Sequence, residues 1–271
     1  MGKINRLRKP KQKRSLTVLK LGGSVVTKKA NAFTLSDHLP RLAKEIKGSG
    51  VRNLIIVHGG GSFGHYPAHK HEINKGFKHE SQIFGFAETQ KAMEVLNNHV
   101  VEALQAEGIP AFPIQPSAIT IMENGKIKIL YSGIVKRALH IGLVPVLYGV
   151  PALDLKMGFC ILSGDEIVNN LANNLKATRV LLASDVTGVM TADPKTAKTK
   201  PKLIKTVTEK NYKRLRLSLP GVTDVTGGMW KKVNELLNLA KFGIQSEIID
   251  ATLPGNLKRA LRGEKIGTTI K

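Results

Sequence analysis

Three short apolar runs in this chain each stop at a glycine turn. "LTVLKL" (16–21) passes into "GGS", "NLIIV" (53–57) into "HGGGSFGH", and "RVLLAS" (179–184) into "DVTGV". Strands apolar at almost every position need cover on both faces, which restricts the chain to a sheet buried between helices. The intervening segments supply those helices. "LSDHLPRLAKEIK" (35–47) sets Leu35, Leu39, Leu42 and Ile46 near helical spacing, with Ser36 or Asp37 as its cap and Pro40 in the first turn. Residues 81–107 form a long helix with Phe86, Met93, Leu96, Val100 and Leu104 along one stripe. Helices over 166–176, 228–242 and 256–263 alternate with strands at 143–148 and 246–250, and a short strand closes the chain. Two hairpins interrupt the alternation, one over 119–130 around Asn124-Gly125 and one over 151–165. The pattern predicts an α/β fold: a three-layer αβα sandwich with a mostly parallel central sheet, the hairpins lying at an edge or over a pocket.

With 271 residues, 42% of them hydrophobic, the chain can bury a sizeable core as one large domain or two joined lobes. Cys160 is the one cysteine, which excludes an internal disulfide and predicts a reducing, cytoplasmic setting. The apolar runs are far too short to cross a bilayer, and no membrane partner is expected.

The formal charge of +22 raises nucleic-acid binding as a reading, and its distribution argues against that as the main function. Residues 1–14 hold seven Lys/Arg and no acid, and residues 195–216 hold nine against Glu209. These 36 residues carry +15 of the +22. The first run predicts a disordered extension over 1–15 and the second a mobile basic flap. Neither interleaves aromatic residues as a single-strand binding surface does.

Open parallel sheets bind ligands beyond the carboxyl ends of their strands. Five turns stand out on that rule: "KLGGS" (20–24), "HGGGSFGH" (58–65), "SGD" (163–165), "SDVTGV" (184–189) and "DVTGGMWKK" (224–232). Glycine lets backbone N–H groups converge on an oxyanion, and a helix N-terminus adds its dipole. Lys20, Lys29 and Lys232 are placed to neutralise phosphoryl oxygens. The chain lacks the "GxxxxGK[ST]" of a P-loop. His65, His69 and His71 invite a zinc reading, but Pro67 disturbs their spacing and no cysteine supports them, so no metal ligands are assigned.

"VLKLGGS", "VHGGGSFGH", "SGDEIV", "ASDVTGV" and "DVTGGMWKK", in that order, resemble the amino acid kinase superfamily. The histidine after "FG" is similar to the isopentenyl phosphate kinase branch of isoprenoid biosynthesis and its fosfomycin kinase relatives. The likeness spans about 16–271, and it implies an acceptor lobe at about 16–175 and a nucleotide lobe at about 176–271. It implies transfer of a phosphoryl group from ATP, with Mg²⁺, to isopentenyl phosphate; the alternative is another acceptor such as fosfomycin or a carboxylate. A homodimer is implied too.

The resemblance also implies roles. Lys20 meets the transferred group, Lys29 (or its neighbour Lys28) a phosphate, and Asp165 orients the lysines. Gly22, Gly23, Ser24, Gly61, Asp185, Thr187, Gly188, Gly227 and Lys232 fall to ATP. His65, Gly60 and Gly164 fall to the acceptor phosphate. Phe86, Met93 and Ile161 are candidates for an isoprenoid slot, although a core stripe gives the same pattern. His58 is expected to pack structurally at a strand end.

Overall fold

The computed structural model describes residues 15–29, 32–192, 200–218 and 228–271. In chain order the strands are β1 (Thr17–Leu21), β2 (Leu54–His58), β3 (Ala111–Pro113), β4 (Thr120–Glu123), β5 (Lys126–Leu130), β6 (Val144–Tyr148), β7 (Val150–Asp154), β8 (Gly158–Leu162), β9 (Arg179–Ser184), β10 (Thr206–Val207), β11 (Gln245–Asp250) and β12 (Thr268–Ile270). The helices are α1 (Gly23–Val26), α2 (Leu39–Ser49), α3 (Gly61–Lys70), α4 (Ser81–Ala106), α5 (Gly133–Ile141), α6 (Gly164–Asn174), α7 (Glu209–Ser218), α8 (Gly228–Ala240) and α9 (Asn256–Leu261).

Eight strands form the central sheet in the order β10-β12-β11-β9-β1-β2-β6-β3. Neighbours run parallel except β11 and β12. β1 lies between β9 and β2, so the strand order reverses at the middle of the sheet and opens a crevice at the carboxyl ends there. Alternate residues feed two cores. Leu19 and Leu21 of β1, with Leu54 and Ile56 of β2, pack against α2, α4 and α9. Val18, Ile55 and Val57 face the other way, toward α5, α6 and α8. The runs are apolar throughout because helices cover both sides.

The hairpins form a second sheet of order β5-β4-β7-β8, whose Met122, Ala152, Cys160 and Leu162 join the second core. Asn124 and Gly125 both take positive φ, 52° and 73°, as a two-residue hairpin turn demands. Buried Asp154 ties the two hairpin turns together, accepting from the backbone N–H groups of Asn124, Gly125, Lys156 and Met157. Burial alone would raise this carboxyl; the four N–H donors outweigh it and hold it well below the usual carboxylate range.

Several expectations are corrected. The N-cap of α2 is His38; Ser36 Oγ accepts from His38 N, and Asp37 instead pairs with Lys28 at 2.8 Å. Five of the eight residues of "HGGGSFGH", Gly61 to His65, start helix α3 rather than forming loop. The proposed basic flap over 195–216 holds β10 and most of α7, with Leu203 bridged to Met190; only 195–199 of it lie outside the described residues. β3 and α5 were not anticipated. The basic extension over 1–14 and Gly227 lie outside the described residues.

Candidate active site

The turns after β1 and β2 are pressed back to back. A Cβ on Gly23 would fall 2.5 Å from Gly61 N, and one on Gly59 would fall 2.7 Å from Gly23 N. Gly61 itself sits at φ +48°. Only glycine permits this contact. Thr27 locks it from the side: its Oγ1 donates to Gly23 O and accepts from Ser62 N. The N-terminal ends of α1, α3 and α6 thereby meet at one crevice, where their dipoles favour an anion. Ser163 caps α6 in a reciprocal box with Glu166, leaving Asp165 in the first turn free to face the crevice.

The crevice holds a cavity of about 780 Å³. Lys20, Lys232 and His65 line it, together with Gly22, Gly23, Ser24, Gly60 and Gly164. Met93 of α4, Val150 and Pro151 of β7 and Ile161 of β8 add apolar lining, Pro151 and Ile161 being cross-strand partners. Lys20 Nζ meets Asp165 Oδ1 at 2.5 Å with the lysine side chain 12% exposed. Burial drives the Lys20 amine below the ordinary lysine range, and Asp165 opposes that shift.

At the cavity's edge, Asp185 accepts from Ser24 Oγ at 2.8 Å and Lys29 Nζ at 2.6 Å. Burial would raise the Asp185 carboxyl, but these two donors prevail and hold it below its usual value. His58, fully buried, puts one ring nitrogen 3.1 Å from Gly59 O and the other 3.2 Å from the Asn97 amide, with its ring stacked on Tyr148. Burial takes His58 down to about 4, so it is neutral and structural.

The structure thus brings twelve sequence-predicted residues to one cavity: Lys20, Gly22, Gly23, Ser24, Gly60 and His65 from the first two turns, and Met93, Ile161, Gly164, Asp165, Asp185 and Lys232 from elsewhere. It does not bring Phe86 there; that ring packs on Phe159 at 5.4 Å, while Thr89, one turn closer, lines the wall. Thr187 and Gly188 do not line it either: a Cβ on Gly188 would lie 2.4 Å from Thr268 Oγ1, against the β12 edge. Gly61 starts α3 behind the lining, and Lys29 reaches the site only through Asp185. Sequence reasoning missed Thr27 and Pro151; the hairpin over 151–165, which returns into "SGD", was the available signal for Pro151, and Val150 beside it stood at the expected substrate lip. Among the described residues no three His, Cys, Asp or Glu side chains gather at metal-binding spacing. Asp165 and Asp185, the carboxylates facing the cavity, are each already held by a lysine.

A parallel sheet whose reversal point gathers glycine turns, helix N-termini and lysines is the architecture of a small-molecule phosphotransferase. The chain belongs to the amino acid kinase family, which it matches over residues 15–250. It is 42% identical over 266 residues to the isopentenyl phosphate kinase of Methanothermobacter thermautotrophicus, covering 94% of this chain and 98% of that one. The isopentenyl phosphate kinase of Methanocaldococcus jannaschii is 39% identical over 272 residues, with 94% and 98% covered. A solved isopentenyl phosphate kinase superposes with a TM-score of 0.83 at 39% identity, covering 94% of this chain and all of that one.

Proposed function

We propose that this chain transfers the γ-phosphoryl group of ATP to isopentenyl phosphate, yielding isopentenyl diphosphate and ADP. The observation that carries the reading is a single cavity lined by Lys20, Lys232 and His65 together with apolar Met93, Val150, Pro151 and Ile161. An acceptor with an anionic head and a five-carbon tail matches that polarity.

A phosphate monoester is mostly dianionic at neutral pH, so one of its oxygens attacks the γ-phosphorus without a general base. The bond to the β–γ bridging oxygen breaks, and ADP leaves with that electron pair. Two anions must be held end to end, so the protein's work is alignment and charge neutralisation of a loose transition state. Lys20 and Lys232 meet the transferred group and the nucleotide phosphates. The backbone of Gly22 and Gly23 lies along the nucleotide, and His65 and Gly60 grip the acceptor phosphate. Asp165 orients Lys20 through the 2.5 Å contact. Met93, Val150 and Ile161 bound the tail. The nucleotide sits on the lobe of residues 176–271 and the acceptor on that of 16–175.

Mg²⁺ would enter with ATP, held by the nucleotide rather than by Asp165 or Asp185, and would supply charge neutralisation at the phosphates. This fits a site whose two lining carboxylates are occupied by Lys20 and Lys29. A cytoplasmic setting fits Cys160, a buried thiol that burial first and then Asp154 push up to about 12. No helix among the described residues is long and apolar enough to cross a membrane. A homodimer fits the outer face of the small sheet, where apolar Ile129 and Leu153 remain 57% and 58% exposed.

Purified protein with MgATP, offered isopentenyl phosphate, fosfomycin and small carboxylates in turn, tests the reading. Turnover is expected on isopentenyl phosphate, with diphosphate formed in step with ADP. Turnover only on one of the other acceptors rejects it.

A further inference from the structure

α8 carries a second charged residue beside the cavity. Glu235 follows Lys232 by three positions, so the two are neighbours on one helix face. From α6, Asn169 Nδ2 donates to Glu235 Oε2 at 3.5 Å, and Asn169 stands one turn beyond Asp165. Asp165 in turn holds Lys20. Two lysines and two carboxylates therefore form one cluster spanning β1, α6 and α8, with Glu235 behind the cavity lining rather than in it. Glu235 and Lys232 are both half-buried.

We infer that Glu235 is a positioning residue for phosphoryl transfer, supplying the negative charge that keeps Lys20 protonated while Lys232 stands beside it. The inference rests on the kinase reading above, with Lys20 as the cation that meets the transferred group. The charge balance gives its reason. Lys20 feels burial first, which favours the neutral amine; Asp165 opposes this, Lys232 adds repulsion, and Glu235 offsets that repulsion. Around Glu235, burial and then Asp165 raise its carboxyl, Lys231 and Lys20 pull it back, and Glu166 adds a smaller push upward. A site with two close cations and one carboxylate would lose a lysine proton at lower pH than a site with two of each. Asn169 fixes the carboxylate against α6, the helix that also carries Asp165.

The sign of the effect follows directly. Lys20 must be charged to damp phosphate repulsion, so the rate is lost as pH rises through its titration. Neutralising Glu235 lowers that titration point, so the alkaline limb of the kcat profile moves to lower pH. Glu235→Gln suits the test because its amide oxygen can still accept from Asn169. The experiment is the pH profile of kcat at saturating isopentenyl phosphate and MgATP for the full chain, Glu235→Gln and Glu235→Asp, with melting curves alongside. The limb is expected to move down by roughly half a pH unit or more in Glu235→Gln, and by a smaller step in Glu235→Asp, with both KM values within about threefold of the parent. A rate lowered by one factor at every pH, or an unmoved limb, overturns the inference. If Glu235→Gln melts below the assay temperature, Glu235→Asp alone decides: an unmoved limb overturns the inference. Wild-type turnover on isopentenyl phosphate tests the kinase reading separately from these outcomes.

Discussion

Lys29 and Asp185 meet at 2.6 Å across 156 positions of sequence, joining the segment after β1 to the turn after β9. Lys28, the adjacent residue, turns instead to Asp37 at 2.8 Å. The choice between two consecutive lysines is therefore made by which carboxylate each one faces. Lys29 is 73% exposed, so its ion pair adds little stability in itself; what it does is hold Asp185, a lining residue of the cavity.

Lys29→Ala is expected to lower kcat/KM for ATP about tenfold, while Lys28→Ala stays within about twofold of the parent. Steady-state kinetics at varied ATP check this. Equal losses in both variants would contradict the assignment.

Asp165→Asn removes the partner of a buried amine. Lys20 then sheds its proton more readily, and kcat is expected to fall about 10²-fold, with the alkaline limb moved to lower pH. A profile of unchanged shape and height would show that Asp165 does not govern Lys20.

Gly23→Ala would set a methyl 2.5 Å from Gly61 N, a backbone atom that cannot yield cheaply. It is expected to cost about 1–3 kcal/mol and most of the activity. Gly48→Ala is the contrast. Its methyl would meet nothing closer than 3.5 Å, and a gain of up to about 1 kcal/mol is expected. Thermal melts of both variants check the pair.

What the sequence displayed and what it hid follow physical lines. The central strands were legible because burial on both faces writes an unbroken apolar run, as in "NLIIV". The Asn124-Gly125 hairpin was legible because positive φ at two successive positions admits few residues. Phe86 misled because one helical stripe serves two purposes: Met93 reaches the cavity while Phe86, two turns earlier, packs on Phe159. Gly188 was ambiguous because a glycine can be demanded by a neighbouring strand, here Thr268, as well as by a phosphate. Glu235 and Thr27 were invisible for another reason. Their roles depend on contacts with Asn169 and Ser62, which no local pattern announces. α7 was read as a flap because its hydrophobic positions are sparse among lysines and arginines, yet Tyr212 and Leu215 pack against the second core.

His58 makes stability depend on acid. Its folded-state value near 4 lies below the ordinary 6.5, so the unfolded chain takes up the proton first as pH falls. Stability is expected to be full above about pH 6.5 and to decline by about 3 kcal/mol toward pH 4. Denaturant melts of the parent and His58→Gln across that window check it; the variant should lose less on acidification.

The central claim is that His65 and Lys20 damp the repulsion of two anions aligned in one cavity. Single-turnover transfer from labelled ATP to isopentenyl phosphate in His65→Ala tests it most directly. The rate of transfer is expected to be lower by about 10²-fold, with ATP binding kept within a few fold. Transfer at the parent's rate would contradict it.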